Sequence, residues 1–241
     1  MTLRLLGGLA AGFVVLDRAA VLAGSTRGQA GLLVGALAVA TITLVEWLLF
    51  PKPLAAVPAG LGFGFGFGRP AGRAFVAALT IGAVMLAFFP LFARATGTPV
   101  AVRDDWALLI PGLFAQGGIA EECLFRGYLF GHLRRQRSFW RAAWLSVPPF
   151  VAVHLLLFVY MPFPVAAAAT LLSLVMSFPL ARLYDLGGGT IWAPALLHFV
   201  AQGAVKLAVV PDSAQVMVGV GWMAVCAVLP WAAFAVHARK A

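Results

Sequence analysis

Eight long apolar runs, separated by short segments of charged, Gly or Pro residues, follow one another along the chain. Each run is about 20 residues long, the length that an α-helix needs to cross the hydrocarbon core of a bilayer. The strict alternation of polar and apolar residues that is typical of barrel strands is absent. The pattern predicts an all-α, polytopic transmembrane bundle of about eight spans, in a single membrane domain over residues 1–241. The predicted spans are 5–24, 30–50, 74–94, 107–131, 142–160, 164–184, 190–210 and 214–236.

Composition supports a membrane protein. Of the 241 residues, 63% are hydrophobic and 10% are charged, and the mean hydropathy is +0.99. An average soluble domain is about half apolar and a quarter charged, and so few charges could not cover the surface of a soluble protein of this size. A soluble enzyme, a disordered chain and a coiled coil are therefore excluded. Cys123 and Cys226 lie inside apolar runs, so they indicate buried free thiols rather than a disulfide framework or a metal motif.

The net charge of +9 predicts an orientation in the membrane. Lys and Arg lie mainly between the apolar runs, so they indicate topology, and no nucleic-acid partner is expected. Their uneven distribution, eleven against four, predicts a multi-pass protein of the cytoplasmic (inner) membrane with both termini in the cytoplasm. The eleven are Arg4, Lys52, Arg69, Arg73, Arg134, Arg135, Arg137, Arg141, Arg182, Arg239 and Lys240, and the four are Arg27, Arg94, Arg103 and Lys206.

A Gly-rich and Pro-rich stretch, 51–73, separates the second span from the third. It contains alternating Gly and Phe over 62–68, followed by Arg69 and Arg73. Alternating glycines bind phosphate only between a strand and a helix, and no strand is predicted before this stretch. Phenylalanines flanked by arginines instead suit a segment at the membrane interface.

Ionisable residues inside the spans are candidates for function, because each costs roughly 2.5–3.5 kcal/mol at the centre of a membrane helix. Asp17, Arg18 and Glu46 are interpreted as structural, since they lie beside a counter-charge or near a span end. The other candidates are Glu121, Glu122, Arg126, His132, His154 and His198.

The fourth span separates two neighbouring acids. At about 100° per residue, Glu122 and Arg126 lie about 40° apart on a helix and can pair. Glu121 lies about 140° from Arg126 and points elsewhere. The spacing predicts a structural pair, Glu122 with Arg126, and a separate carboxylate, Glu121, which is free to act as a base.

Two later spans carry histidines with a partner four residues away. Phe150 precedes His154, and Gln202 follows His198. Counted from the predicted cytoplasmic ends, Glu121, His154 and His198 lie about 15, 18 and 12 Å deep. This count predicts a polar cavity in the cytoplasmic half. Prolines before each histidine, Pro148-Pro149 and Pro194, predict helix kinks beside the site.

These three motifs, in this order, resemble those of the type II CAAX prenyl endopeptidase-like proteins, also called the CPBP or Abi family of intramembrane glutamic proteases. The resemblance covers a core of about 107–205. It implies a membrane protease in which Glu121 activates a water, His154 helps to orient or deprotonate that water, and His198 and residue 202 stabilise the oxyanion. Glu122, Arg126 and Phe150 would support the site, and no cofactor is implied. The last motif of the family usually ends in Asn, whereas this chain has Gln202.

Other functions remain open from the residues alone. A non-catalytic family relative that acts as a membrane scaffold or binder would fit the departure at Gln202. A metal-dependent hydrolase could use Glu121, His154 and His198 to bind zinc, although the chain has no HExxH motif. A transporter is the weakest alternative, because no internal repeat is evident. The expected partners are the bilayer and a membrane protein or peptide substrate, whose identity the sequence does not give, and no oligomeric state is indicated.

Overall fold

The structure, a computed structural model, describes residues 3–22, 30–50, 66–68 and 72–237. Of these described residues, 84% are helical, which confirms the all-α class. Most of the predicted interfacial segment, 51–65 and 69–71, lies outside the described residues. In chain order the elements are α1 (Leu3–Leu22), α2 (Gly31–Leu49), α3 (Gly72–Leu86), α4 (Phe88–Thr96), β1 (Ala101–Val102), α5 (Trp106–Leu113), two π-helical segments (Phe114–Ala120 and Cys123–Phe130), α6 (Gly131–Arg134), α7 (Phe139–His154), α8 (Leu157–Tyr160), α9 (Phe163–Leu186), α10 (Trp192–Leu207), β2 (Ala208–Val209), α11 (Asp212–Val228) and a 3₁₀ helix (Leu229–Ala235).

Six stretches of the described chain are long and apolar enough to cross a membrane, so the predicted count of eight is not confirmed. They are Gly31–Leu49, Gly72–Thr96, Trp106–Arg134, Phe139–Tyr160, Phe163–Leu186 and Asp212–Ala235. The other two predicted runs are also helical, as α1 and α10, but are not among the six. With 16 residues, α10 is about 24 Å long, shorter than a hydrocarbon core of about 30 Å. The remainder of its predicted span, 190–210, is loop before the helix and strand β2 after it.

The helix kink predicted at Pro194 is wrong. Pro194 is the third residue of α10, and a proline in the first helical turn removes no helical hydrogen bond. Pro148 and Pro149, in contrast, lie inside α7, which ends at His154. Only the pair in α7 therefore interrupts the hydrogen bonds of a helix interior near a candidate histidine.

Small residues allow α2 to pack closely against the span that carries Glu121. The buried positions of α2 are Gly31, Val34, Gly35, Ala38, Ile42 and Glu46, which form one face of the helix. A Cβ atom at Gly35 would come within 2.8 Å of the Ala115 carbonyl oxygen. Close backbone approach at small residues is a common means of helix association in membranes, and here it supports the helix that carries the two acids.

The Glu121-bearing span departs from a regular α-helix. In its π-helical segments an N–H bonds to the carbonyl five residues earlier, as from Glu121 to Gln116 and from Gly131 to Arg126. Pro111, Gly117 and Gly118 precede the acids, and Pro and Gly are the weakest helix formers. The angles predicted from 100° per residue are therefore wrong for these segments. Turns of this kind occur frequently at functional sites.

The helix ends gather at two opposite ends of the bundle. At the first, here called the basic end, Arg73 donates to the His237 carbonyl (3.1 Å), Arg182 donates to the Val236 carbonyl (2.9 Å) and Arg134 pairs with Asp185 (2.8 Å). The described arginines of the predicted cytoplasmic set thus include three that connect separate elements at this end.

A short antiparallel ladder, here called the clasp, marks the opposite end. Ala101 pairs with Val209 and Val102 with Ala208, and the Arg103 N–H donates to the Leu207 carbonyl at 2.9 Å. Arg103 also pairs with Asp105 at 2.8 Å, and its hydrogen bond lowers the pKa of that exposed carboxyl. The clasp connects the loop before α5 to the last turn of α10. The span that begins with α5 and helix α10 together carry most of the candidate site.

Candidate active site

Glu122 lies at the centre of a buried polar cluster. Its side chain is fully buried, and its Oε1 accepts hydrogen bonds from Arg126 Nη1 at 2.9 Å and from His198 Nδ1 at 2.6 Å. The pairing of Glu122 with Arg126 is as the sequence spacing predicted. The bond to His198 joins residues 76 positions apart and was not foreseen. Glu122 Oε2 is buried and has no hydrogen-bond partner among the described residues.

Glu121 is the more accessible acid. Its side chain is 21% exposed, and its Oε2 lies 3.7 Å from His198 Nε2, too far for a hydrogen bond. Its Oε1 accepts a long hydrogen bond, 3.4 Å, from Gln202 Nε2. A water can bridge polar atoms at such separations. The geometry thus separates the two acids as expected, one buried and paired and the other loosely held, while their catalytic roles remain predictions.

The tautomer of neutral His198 follows from its neighbours. A carboxylate only accepts hydrogen bonds, so His198 Nδ1 must donate to Glu122. In the neutral ring Nε2 then carries a lone pair, and it accepts from Gln202 Nε2 at 2.9 Å. Glu122 therefore fixes the direction in which His198 presents Nε2, toward Glu121 and Gln202.

Gln202 reaches across from α10 to the first π-helical segment. Its Nε2 donates to the Gly117 carbonyl at 3.3 Å, and its Oε1 accepts from Lys206 Nζ at 3.3 Å. A Cβ atom at position 117 would lie 2.8 Å from Gln202 Oε1. Glycine at 117 therefore leaves the space that the long Gln side chain occupies. Neither Gly117 nor Lys206 was identified from the sequence.

Phe150 connects the remaining candidates through its ring. The Arg126 guanidinium lies 4.2 Å from the ring centroid, and the rings of His154 and His198 lie at 4.8 and 6.2 Å. His154 Nδ1 donates to the Phe150 carbonyl at 2.8 Å, which leaves Nε2 of the neutral ring as an acceptor. Phe150 is thus a packing residue that holds a charge and two imidazoles in place, as its predicted supporting role requires.

Two residues of the cluster, Glu121 and His198, lie near the middle of their helices. Glu121 is 15 residues from the start of the span Trp106–Arg134 and 13 from its end, and His198 is the seventh of the 16 residues of α10. The predicted location of a cavity in the cytoplasmic half depends on the orientation of the bundle and stays a prediction.

The other ionisable residues of the spans have partners outside the cluster. Asp17 pairs with Arg18 at 3.3 Å, and Glu46 pairs with His132 at 2.7 Å. Cys123 and Cys226 are free and buried. Within the described ranges, no group of three His, Cys, Asp or Glu residues is arranged to hold a metal ion.

A comparison with protein families identifies the segment that carries the cluster. Residues 103–204 match the family described as "Type II CAAX prenyl endopeptidase Rce1-like". The match confirms the resemblance drawn from the three motifs and supports a membrane protease of that family. It contains the seven residues to which the resemblance assigns a role, Glu121, Glu122, Arg126, Phe150, His154, His198 and Gln202. No curated protein matches the chain, and no solved structure does.

Proposed function

From the match of residues 103–204 to the Rce1-like type II CAAX prenyl endopeptidases, we propose that this protein is an intramembrane endopeptidase that hydrolyses a membrane-associated protein or peptide through a glutamate-activated water. The observation that carries the proposal is the contrast between Glu121, partly exposed and loosely bonded, and Glu122, buried and paired. A general base needs an accessible acceptor within reach of water, and Glu121 has one.

The proposed reaction uses groups on two helical spans. Glu121 takes a proton from water, and the water oxygen attacks the scissile carbonyl carbon. The carbonyl oxygen becomes an oxyanion that Gln202 Nε2 stabilises by donating a hydrogen bond, while neutral His198, held by Glu122, accepts the other Gln202 N–H at Nε2 and keeps the amide in place. When the intermediate collapses, the C–N bond breaks and Glu121 returns the proton to the leaving amine. His154 is proposed to orient the water.

Mapping of protein termini tests the proposed activity. Membranes from cells that produce the wild-type protein are compared with membranes that contain Glu121→Gln, and new N- and C-termini are identified by mass spectrometry. We expect cleavage products that depend on Glu121. If no product does, the protease proposal is wrong, and the scaffold alternative, which survives Glu121→Gln, is favoured. Cleavage that a chelator abolishes would instead favour the metal-dependent hydrolase.

Substitution of Gln202 tests the oxyanion role. Gln202→Ala removes the amide and should lower kcat at least tenfold, since loss of one oxyanion donor costs about 10²–10³ in a soluble protease. Gln202→Asn shortens the side chain by about 1.5 Å, so the amide cannot keep its contacts with both Lys206 and Gly117, and we expect an intermediate kcat. Equal turnover by Gln, Asn and Ala at 202 would remove this residue from the chemistry.

We also propose that the basic end faces the cytoplasm, so both termini are cytoplasmic. The described Arg side chains at this end support it through the positive-inside rule. A reporter fused after Ala241 should read as cytoplasmic, whereas one inserted beside Thr98, in the loop between α4 and β1, should read as external. The opposite result would reverse the proposed orientation and place the clasp end at the cytoplasmic surface.

A further inference from the structure

Lys206 contacts the candidate oxyanion residue from the outer end of α10. It is exposed and lies one helical turn beyond Gln202, a spacing that brings the two side chains together on one face. Its Nζ donates to Gln202 Oε1 at 3.3 Å. It lies two residues beyond the matched segment, 103–204, and the sequence pattern assigned it only to topology.

This contact affects the orientation of the Gln202 amide, that is, which neighbours its NH₂ group and its oxygen face. Three acceptors surround Nε2: His198 Nε2 at 2.9 Å, the Gly117 carbonyl at 3.3 Å and Glu121 Oε1 at 3.4 Å. If the amide were flipped, its oxygen would face the carbonyl and carboxylate oxygens, and its NH₂ group would face the Lys206 ammonium. Both faces would then be repulsive, because a carbonyl oxygen cannot donate and an ammonium cannot accept.

We propose that Lys206 is a positioning residue that fixes the Gln202 amide with its NH₂ group toward His198 and Glu121. The inference rests on the proposed function, since the oriented NH₂ group is the donor that stabilises the oxyanion. A donor already aimed at the developing charge needs no reorganisation during the reaction. Lys206 itself acts through Gln202 and does not touch the reacting atoms.

The same contact gives a physical reason for a side chain as long as Gln at position 202. Gln is one methylene longer than Asn, so its amide extends past the Gly117 backbone, where a side chain at 117 would collide with it, and reaches the ammonium. An Asn amide at 202 would end about 1.5 Å nearer to α10. Gly117, Gln202 and Lys206 thus form a matched set, in which glycine provides space, glutamine provides reach and lysine fixes the orientation.

A double-mutant cycle tests the proposal. The substrate is an internally quenched peptide that spans a cleavage site mapped by its dependence on Glu121. Lys206→Met should lower kcat about tenfold, as expected for loss of one hydrogen bond to a charged group, with little change in KM, and Lys206→Arg should restore most of it. In a Gln202→Ala background Lys206→Met should have no further effect. Arg94→Met, which removes an exposed cation from α4, is the matched control and should leave kcat unchanged.

Two outcomes of the cycle would overturn the positioning role. If Lys206→Met lowers kcat equally in the Gln202→Ala background, Lys206 acts independently of the amide. If the substitution raises KM alone, Lys206 binds substrate instead. If the wild-type protein has no Glu121-dependent cleavage, the proposed function fails, and the amide orientation is then tested by spectroscopy.

The spectroscopic test needs no substrate. The chain has five glutamines, Gln29, Gln116, Gln136, Gln202 and Gln215, so selective ¹⁵N labelling gives a simple side-chain amide spectrum, and Gln202→Asn identifies the Gln202 signals. We expect Lys206→Met to shift these signals and to speed their hydrogen exchange, while Lys206→Arg and Arg94→Met leave them near their wild-type positions. Unchanged Gln202 signals in Lys206→Met would show that Lys206 does not hold the amide, whatever the activity.

Discussion

Glu121→Gln is expected to lower kcat by about 10²–10⁴-fold, the usual contribution of a general base, while the protein stays folded. Gln is similar in size to Glu but cannot take a proton from water. The free energy of unfolding should change little, because Glu121 is partly exposed and its side-chain contacts among the described residues are long, 3.4 Å to Gln202 Nε2 and 3.7 Å to His198 Nε2. The measurement is kcat for the mapped peptide, together with a thermal melt in detergent.

Glu46, a buried carboxylate outside the cluster, provides the control for Glu121. Glu46→Gln changes a fully buried acid whose described partner is His132, at 2.7 Å, outside the polar cluster. It should leave kcat unchanged, although it can lower the melting temperature. A fall in kcat for Glu46→Gln as large as that for Glu121→Gln would show that loss of a buried acid, rather than of the base, stops turnover.

Glu122→Ala is expected to lower the free energy of unfolding by about 3–5 kcal/mol, the cost of leaving a buried charge without its partner. Arg126 would lose its counter-charge, and His198 would lose the acceptor of its 2.6 Å hydrogen bond. Denaturant unfolding in detergent measures the change. Activity should fall as well, because His198 would lose its fixed orientation.

A double substitution separates the charge effect from packing. In Glu122→Ala/Arg126→Met, the unpaired guanidinium is replaced by an apolar side chain, and removing both partners of a buried pair is often close to neutral. The double variant should therefore be more stable than Glu122→Ala alone. If Glu121→Gln unfolds the protein and Glu122→Ala only abolishes cleavage, the roles of the two acids are reversed.

The apolar pattern predicted the helices well, because burial in a bilayer demands long runs that are visible in the sequence. The helices match the eight predicted runs closely in position, and even the interruption between α3 and α4 at Ala87 lies within a predicted span. Span number was less predictable. Length decides whether a helix crosses a bilayer, and α10 is shorter than its apolar run because a loop precedes it and strand β2 follows it.

The site was predictable only where it is local. Pairing of Glu122 with Arg126 follows from spacing along one helix, and it persists in a π-helical region that the spacing did not reveal. The contact of Glu122 with His198 joins two spans, so it depends on how helices pack, which periodicity does not encode. Gln202 and Lys206 are four residues apart, so their contact could have been predicted from helical spacing. Lys206 was assigned to topology instead, because a lysine near the end of a span is usually explained in that way.

The clasp fixes the axial alignment of the two spans that carry most of the polar cluster. Its ladder, Ala101 with Val209 and Val102 with Ala208, prevents α10 from sliding along its axis past the Glu121-bearing helix unless backbone hydrogen bonds break. A slip of one residue moves a helix by about 1.5 Å, enough to separate Gln202 and His198 on α10 from Glu121 and Glu122. Relative motion of the two spans is therefore expected as tilting about the clasp rather than as axial sliding, so Gln202 and His198 stay level with Glu121 and Glu122.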